Sequence, residues 1–97
     1  MKGLGKTSSL ANAMHAALER RGMDRHVREQ QVLIRWVEYV GEAVARQATP
    51  NRFHDGVLWL TVPDATWRME LHSMRRELLE RINTAAGEEL VREIRVR

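Results

Sequence analysis

The sequence contains no cysteine. That excludes a disulfide framework and any cysteine-based metal site, and it suits a reducing compartment without requiring one. No apolar run approaches the roughly 20 residues that span a membrane. The N-terminal stretch MKGLGKTSSLANAM lacks the continuous apolar segment of a secretory signal, so a cytoplasmic location is expected. Nucleotide-binding glycine-rich loops, HExxH, GxSxG and metal-ligand clusters are missing as well. The histidines, His15, His26, His54 and His72, are scattered, and none stands three or four residues from another. Carboxylates mostly sit beside arginines at helical spacing, as Glu77 does with Arg81, which is a surface-pairing pattern. The inventory predicts a non-enzyme, with no catalytic residues, no metal, no cofactor and no small-molecule substrate.

The 97 residues make one domain, with a modest core and little room for a deep cleft. A composition of 43% hydrophobic and 30% charged residues is that of a globular chain. The net charge is +3, and 14 of the 16 basic residues are arginine. The excess lies in residues 1–56, with nine basic and six acidic groups, whereas residues 64–97 carry seven of each. Such a balance is compatible with phosphate-bearing partners, and equally with an ordinary Arg/Glu-rich surface.

Residues 1–8 hold Gly3, Gly5, Lys2 and Lys6 and read as a flexible, frayed start to a single domain over residues 9–97. Thr7, Ser8 or Ser9 caps a first helix carrying Leu10, Ala13, Met14, Ala17 and Leu18, with Arg20 and Arg21 in its last turn and Gly22 after it. A second helix is predicted from about Asp24 to Gln47, with Leu33, Trp36, Val37, Val40 and Val44 as its buried stripe. Gly41 lies inside it, within RWVEYVGEAVARQATP, where a glycine costs about 1 kcal/mol against alanine. Its position beside the stripe implies close packing against a neighbouring element.

Pro50 ends the helical run and biases Thr49 towards extended geometry. Residues 48–54 then read as a strand, Asp55-Gly56 as a hairpin turn, and residues 57–62 as a second strand. After Pro63, Asp64 or Thr66 caps a third helix with the stripe Trp67, Leu71, Met74, Leu78, Ile82 and Ala85, ended by Gly87. Ile94 and Val96 alternate with Glu93, Arg95 and Arg97 in a half-buried third strand. The order α-α-β-β-α-β implies a two-layer α+β fold, a three-stranded sheet packed on helices with a βαβ crossover.

Alternation places Phe53, Leu58, Leu60, Val62, Ile94 and Val96 towards the helices, and Arg52, His54, Trp59, Thr61, Arg95 and Arg97 away from them. A tryptophan among arginines on an open sheet face is a platform for stacking nucleic-acid bases. In the other reading Trp59 is covered by the first helix or the N-terminal segment. The run Arg20, Arg21, Arg25, Arg28 and Arg35 offers phosphate contacts or forms a solvated helix surface. On the third helix Met69, His72, Arg76, Leu79 and Asn83 lie opposite the stripe and form either a small docking patch for a protein partner or scattered surface.

The arrangement of Trp36 with Val40-Gly41, then Ala48-Thr49-Pro50, then Gly56-Val57-Leu58, resembles the first half of the DciA family. VPDATWRMEL, RELLERIN and EIRVR match the second half of that pattern, and the resemblance covers about residues 9–97. It implies a KH-like domain and a role in bacterial DNA replication. DciA-type proteins act with the replicative helicase DnaB, help to load it, and bind single-stranded DNA. It also implies that Trp36 and Trp67 are core anchors. The sequence departs from KH domains in having no GxxG loop. Many family members carry a flexible extension beyond this domain that helps engage the helicase. Because this sequence stops at Arg97, its helicase-contacting surface is expected within the folded domain, or the contact is weak.

Together these readings predict a non-enzymatic module that contacts single-stranded DNA through Arg52, Trp59, Arg95, Arg97, Arg20, Arg21, Arg25 and Arg28. Met69, His72, Arg76 and Leu79 are the candidate contacts to a DnaB-type helicase. ATP hydrolysis would belong to the helicase, since this chain has no P-loop. Two alternatives remain open: a protein-interaction adaptor without nucleic-acid binding, and an RNA-binding KH-like module.

Overall fold

The computed structural model describes residues 24–97. The expected first helix, the start at residues 1–8, and Arg20 and Arg21 lie outside the described residues. The Asp24 side chain accepts a hydrogen bond from the Val27 N–H (3.0 Å) and starts α1, Arg25–Ile34. Arg35, at φ −108° and ψ 36°, breaks the helix, and α2 follows over Trp36–Val40. Gly41 then adopts φ 85° and ψ 163°, and α3 runs over Glu42–Gln47. The single long helix expected from about Asp24 to Gln47 is therefore three short ones. Apolar spacing carries across both joints, so periodicity alone does not reveal them.

Gly41 is the joint and not a helix-interior residue. Its backbone lies in a region that essentially only glycine occupies. Its N–H donates to Val37 O and its carbonyl accepts from Ala45 N, so one residue closes α2 and opens α3. A β-carbon there would lie 2.7 Å from Arg81 Nη2. The expected close approach exists, but to the flexible end of a side chain. The breaks also change the buried stripe. Val37 is 52% exposed, Leu33 is half-buried, and Val32 and Tyr39 point inward instead, beside Trp36, Val40 and Val44. Trp36 anchors this corner by donating from Nε1 to Ala48 O (3.0 Å).

β1 (Thr49–His54) and β2 (Val57–Thr61) pair antiparallel, with a register irregularity between Pro50 and Arg52. The turn between them holds Asp55 and Gly56 at φ 54° and 82°, the doubly positive geometry that an Asp-Gly hairpin favours. Asp64 caps α4 (Ala65–Ser73) by accepting from Trp67 N at 2.9 Å. The expected third helix also breaks, at Met74 (φ −93°, ψ 9°), and resumes as α5 (Arg75–Ala86), which Gly87 ends in a left-handed conformation. β3 (Glu93–Val96) pairs parallel with β2. The result is an α+β fold whose mixed sheet, in the order β1-β2-β3, packs against helices.

The core joins Phe53, Leu58, Leu60 and Ile94 of the sheet to Leu71, Leu78 and Ile82 of α4 and α5, all at most 2% exposed. Trp67 is half-buried and packs against this core. Asn83 ties α5 to the segment leading into β3. Its Oδ1 accepts from Leu90 N (3.0 Å) and Val91 N (2.8 Å), and its Nδ2 donates to Val91 O (2.9 Å).

Candidate nucleic-acid interface

Strand pairing determines which side chains become neighbours on the sheet. Arg52 of β1 is opposite Trp59 of β2, and Trp59 is opposite Arg95 of β3. These three make one row across the sheet. The adjacent row, Phe53–Leu58–Ile94, faces the other way and is buried. The period-2 alternation of strands thus turns Arg52, Trp59 and Arg95 away from the core. Arg52, His54, Arg95 and Arg97 are exposed, and Trp59 and Thr61 are half-buried. The outward set is the one that alternation predicts.

The two guanidinium groups of β3 and the residue after it flank the indole. Arg95 Cζ lies 5.0 Å and Arg97 Cζ 5.3 Å from the centroid of Trp59, within the range of cation–π attraction. Arg95 also donates from Nε to Glu93 Oε2 at 2.7 Å. That hydrogen bond is the main reason the Glu93 carboxyl is held below its usual range. Partial desolvation opposes the shift, and the charges of Arg95, Arg75 and Arg92 add smaller pulls. Arg52 and Arg97 make no ion pair among the described residues. The face therefore combines a π surface, two guanidinium planes and, among the described residues, two arginines without an ion pair.

The other basic residues are placed differently. Arg25 Nη2 donates to Leu90 O (3.0 Å), and its Nε lies 3.5 Å from Glu29. Arg28 pairs with Glu88 at 3.0 Å and is largely buried. Both fasten α1 to the segment before β3. Of the docking candidates, Met69 and His72 lie on α4, and Arg76 and Leu79 on α5 beyond the Met74 break. Met69 is 74% exposed, and Arg76 pairs with Glu80 at 3.5 Å. Leu79 is half-buried against the core and lines, with Arg76, Arg92 and Glu93, an open groove of about 610 Å³ between α5 and β3. Asn83, expected on the docking face, is engaged in the three hydrogen bonds to residues 90 and 91.

Sequence reading misses one constellation. His26 and Glu29 of α1 meet His54 of β1, with ligand-capable atoms all within 4.8 Å of one another. His26 and Glu29 are three residues apart on a helix, which is legible in the sequence. That His54 joins them follows only from how α1 lies against β1.

A family model described as "Dna[CI] antecedent, DciA" matches residues 9–96. Among curated proteins, a UPF0232 protein of Rhodococcus jostii is 34% identical over 82 residues, which are 84% of this chain and 44% of the relative. A UPF0232 protein of Mycobacterium ulcerans is 35% identical over 78 residues, 80% of this chain and 42% of its own. One from Mycobacterium tuberculosis is 32% identical over 87 residues, 90% of this chain and 46% of its own. The chain spans less than half the length of these relatives. With the match extending over nearly its whole length, the chain belongs to the DciA family.

Proposed function

We propose that this chain is a non-enzymatic DNA-replication accessory domain that binds single-stranded DNA on the outer face of its sheet. It contacts a bacterial replicative helicase of the DnaB type and promotes its loading in the cytoplasm. Family membership supports the replication role, and the helicase supplies the ATP chemistry. The observation that carries the DNA-binding reading is the cross-sheet row Arg52–Trp59–Arg95 with Arg97 beside it. A base stacks on the exposed part of the indole or on a guanidinium plane, while Arg52 and Arg97 meet phosphates. Met69, His72, Arg76 and Leu79 are the proposed helicase contacts, with Met69 the most exposed apolar side chain of that group.

The test is a fluorescence-anisotropy titration of a labelled single-stranded oligonucleotide with the wild-type chain and a Trp59→Ala/Arg95→Ala variant, followed by addition of purified helicase. Stacking contributes about 1–3 kcal/mol per base, so the variant is expected to bind at least roughly fivefold more weakly. Equal binding by both proteins would remove the sheet face from the mechanism. Tighter binding to RNA of matched sequence would favour the RNA-binding module, because only RNA carries the 2′-hydroxyl. No binding to either polymer at low salt would leave a protein adaptor.

A further inference from the structure

We propose that His26, Glu29 and His54 form a binding site for a divalent transition-metal ion of the zinc class. The donor set is two imidazoles and one carboxylate, a combination that suits zinc and its borderline neighbours. The three donors come from two elements, α1 and β1, and their atoms lie within 4.8 Å of one another. Tetrahedral zinc holds such ligands about 2.0–2.2 Å from the ion, and so roughly 3.4 Å apart. The closing movement needed is small and falls on the exposed partners, His26 and His54. Their rings already meet edge to face, with centroids 5.8 Å apart at 72°.

Glu29 is the fixed member. It is 1% exposed, the one buried charged residue in the described core. Its Oε2 accepts from Gly56 N at 2.7 Å and lies 3.5 Å from Arg25 Nε. Those contacts orient the carboxylate from behind, as outer partners do in metal centres. Its Oε1 faces His26 Nδ1 at 4.0 Å. The carboxylate thus presents one oxygen to the hairpin turn and the other to the His26 imidazole. The Arg25 charge opposes a cation and sets a limit on affinity, whereas the existing orientation of Glu29 favours one. Three protein donors leave a further coordination position to water, as in open zinc sites. His54 shares the outer sheet face with Arg52, so the ion adds positive charge to that face.

The experiment uses the untagged full chain, stripped with a chelator and titrated with Zn²⁺ by calorimetry and with Co²⁺ by visible absorption. The expected result is one ion per chain, a Co²⁺ ligand-field band that Zn²⁺ abolishes, and a thermal midpoint that rises with Zn²⁺. His26→Gln and His54→Gln remove exposed side chains and leave the fold intact by circular dichroism. Each is expected to lower Zn²⁺ affinity by roughly tenfold or more. His72→Gln is expected to change nothing. Absence of saturable Zn²⁺ binding overturns the proposal. So does binding that survives both His26→Gln and His54→Gln, or that is lost with His72→Gln, because the ion then sits elsewhere.

Discussion

Asn83 satisfies two backbone N–H groups and one carbonyl at the entrance to β3, and its partners Leu90 and Val91 are at most 1% exposed. Asn83→Ala leaves the buried Val91 N–H without an acceptor, at about 1–3 kcal/mol, whereas the Leu90 N–H keeps Glu88 O at 3.0 Å. A loss of about 1–3 kcal/mol in urea unfolding is expected. Asn83→Asp keeps the acceptor but sets a carboxylate oxygen against the Val91 carbonyl in place of the Nδ2 donor, so at neutral pH it should regain little of the loss. No loss in Asn83→Ala would mean that the Val91 N–H finds water. At Gly41 the cost is in the backbone. Gly41→Ala forces an L-residue into a glycine region and is expected to cost about 1–3 kcal/mol. The Arg81 guanidinium, 2.7 Å from where the new methyl would sit, is a flexible end and can yield. An Arg81→Ala background should therefore rescue little of the loss. Substantial rescue would shift the explanation from backbone conformation to packing. The need for a special residue at 41 is visible in the sequence, because a glycine interrupts a helical pattern. The reason is not, since positive φ leaves no periodic trace.

At the scale of elements, local chemistry is legible where a side chain acts on its own backbone. Asp24 and Asp64 cap their helices, Asp55-Gly56 turns the hairpin, and Gly87 closes α5. The breaks at Arg35 and Met74 are not legible, because neither residue disfavours a helix and the apolar spacing continues beyond each. Periodicity consequently puts Val37 in the core although it is exposed, and passes over Tyr39, which is buried. β3 shows what alternation does resolve: Glu93, Arg95 and Arg97 share one face. Glu93 competes with any bound phosphate for Arg95. Its carboxyl has a lowered pKa, chiefly through the hydrogen bond from Arg95, so the pair persists above the usual carboxylate range. It is lost as pH falls through the depressed folded value, and Arg95 is then released. Glu93→Gln should achieve that release at neutral pH and tighten single-stranded DNA binding by roughly two- to fivefold, an effect of the size expected for an exposed pair. A weaker-binding variant would mean that Glu93 holds Arg95 in its productive position. Comparing wild type and variant in anisotropy titrations at neutral pH decides between these.

Of the whole molecule, residues 24–97 carry twelve basic and twelve acidic groups, so positive potential on the sheet comes from where its arginines lie and not from net charge. The net charge is only +3, and Arg25 and Arg28 are engaged in holding α1 to the segment before β3. Among the described residues, the positive charge turned outward on the sheet comes mainly from Arg52, Arg95 and Arg97. A polyanion that binds this face gains about three phosphate contacts. Single strands release counterions with a slope of about −0.7 per contact, so log K against log salt should fall with a slope of about −2. Arg52→Ala, which removes no ion pair among the described residues and lies at the end of the row, should reduce the slope by about 0.7 and leave stability unchanged. A slope of about −4 or steeper would require basic residues beyond this face, and Arg20 and Arg21 would be the first to replace. A slope near zero with measurable affinity would indicate that stacking on Trp59 dominates, and Trp59→Ala alone would then abolish binding. The slope measured across several salt concentrations therefore weighs the two halves of the proposed interface, charge and π surface, against each other in one titration series.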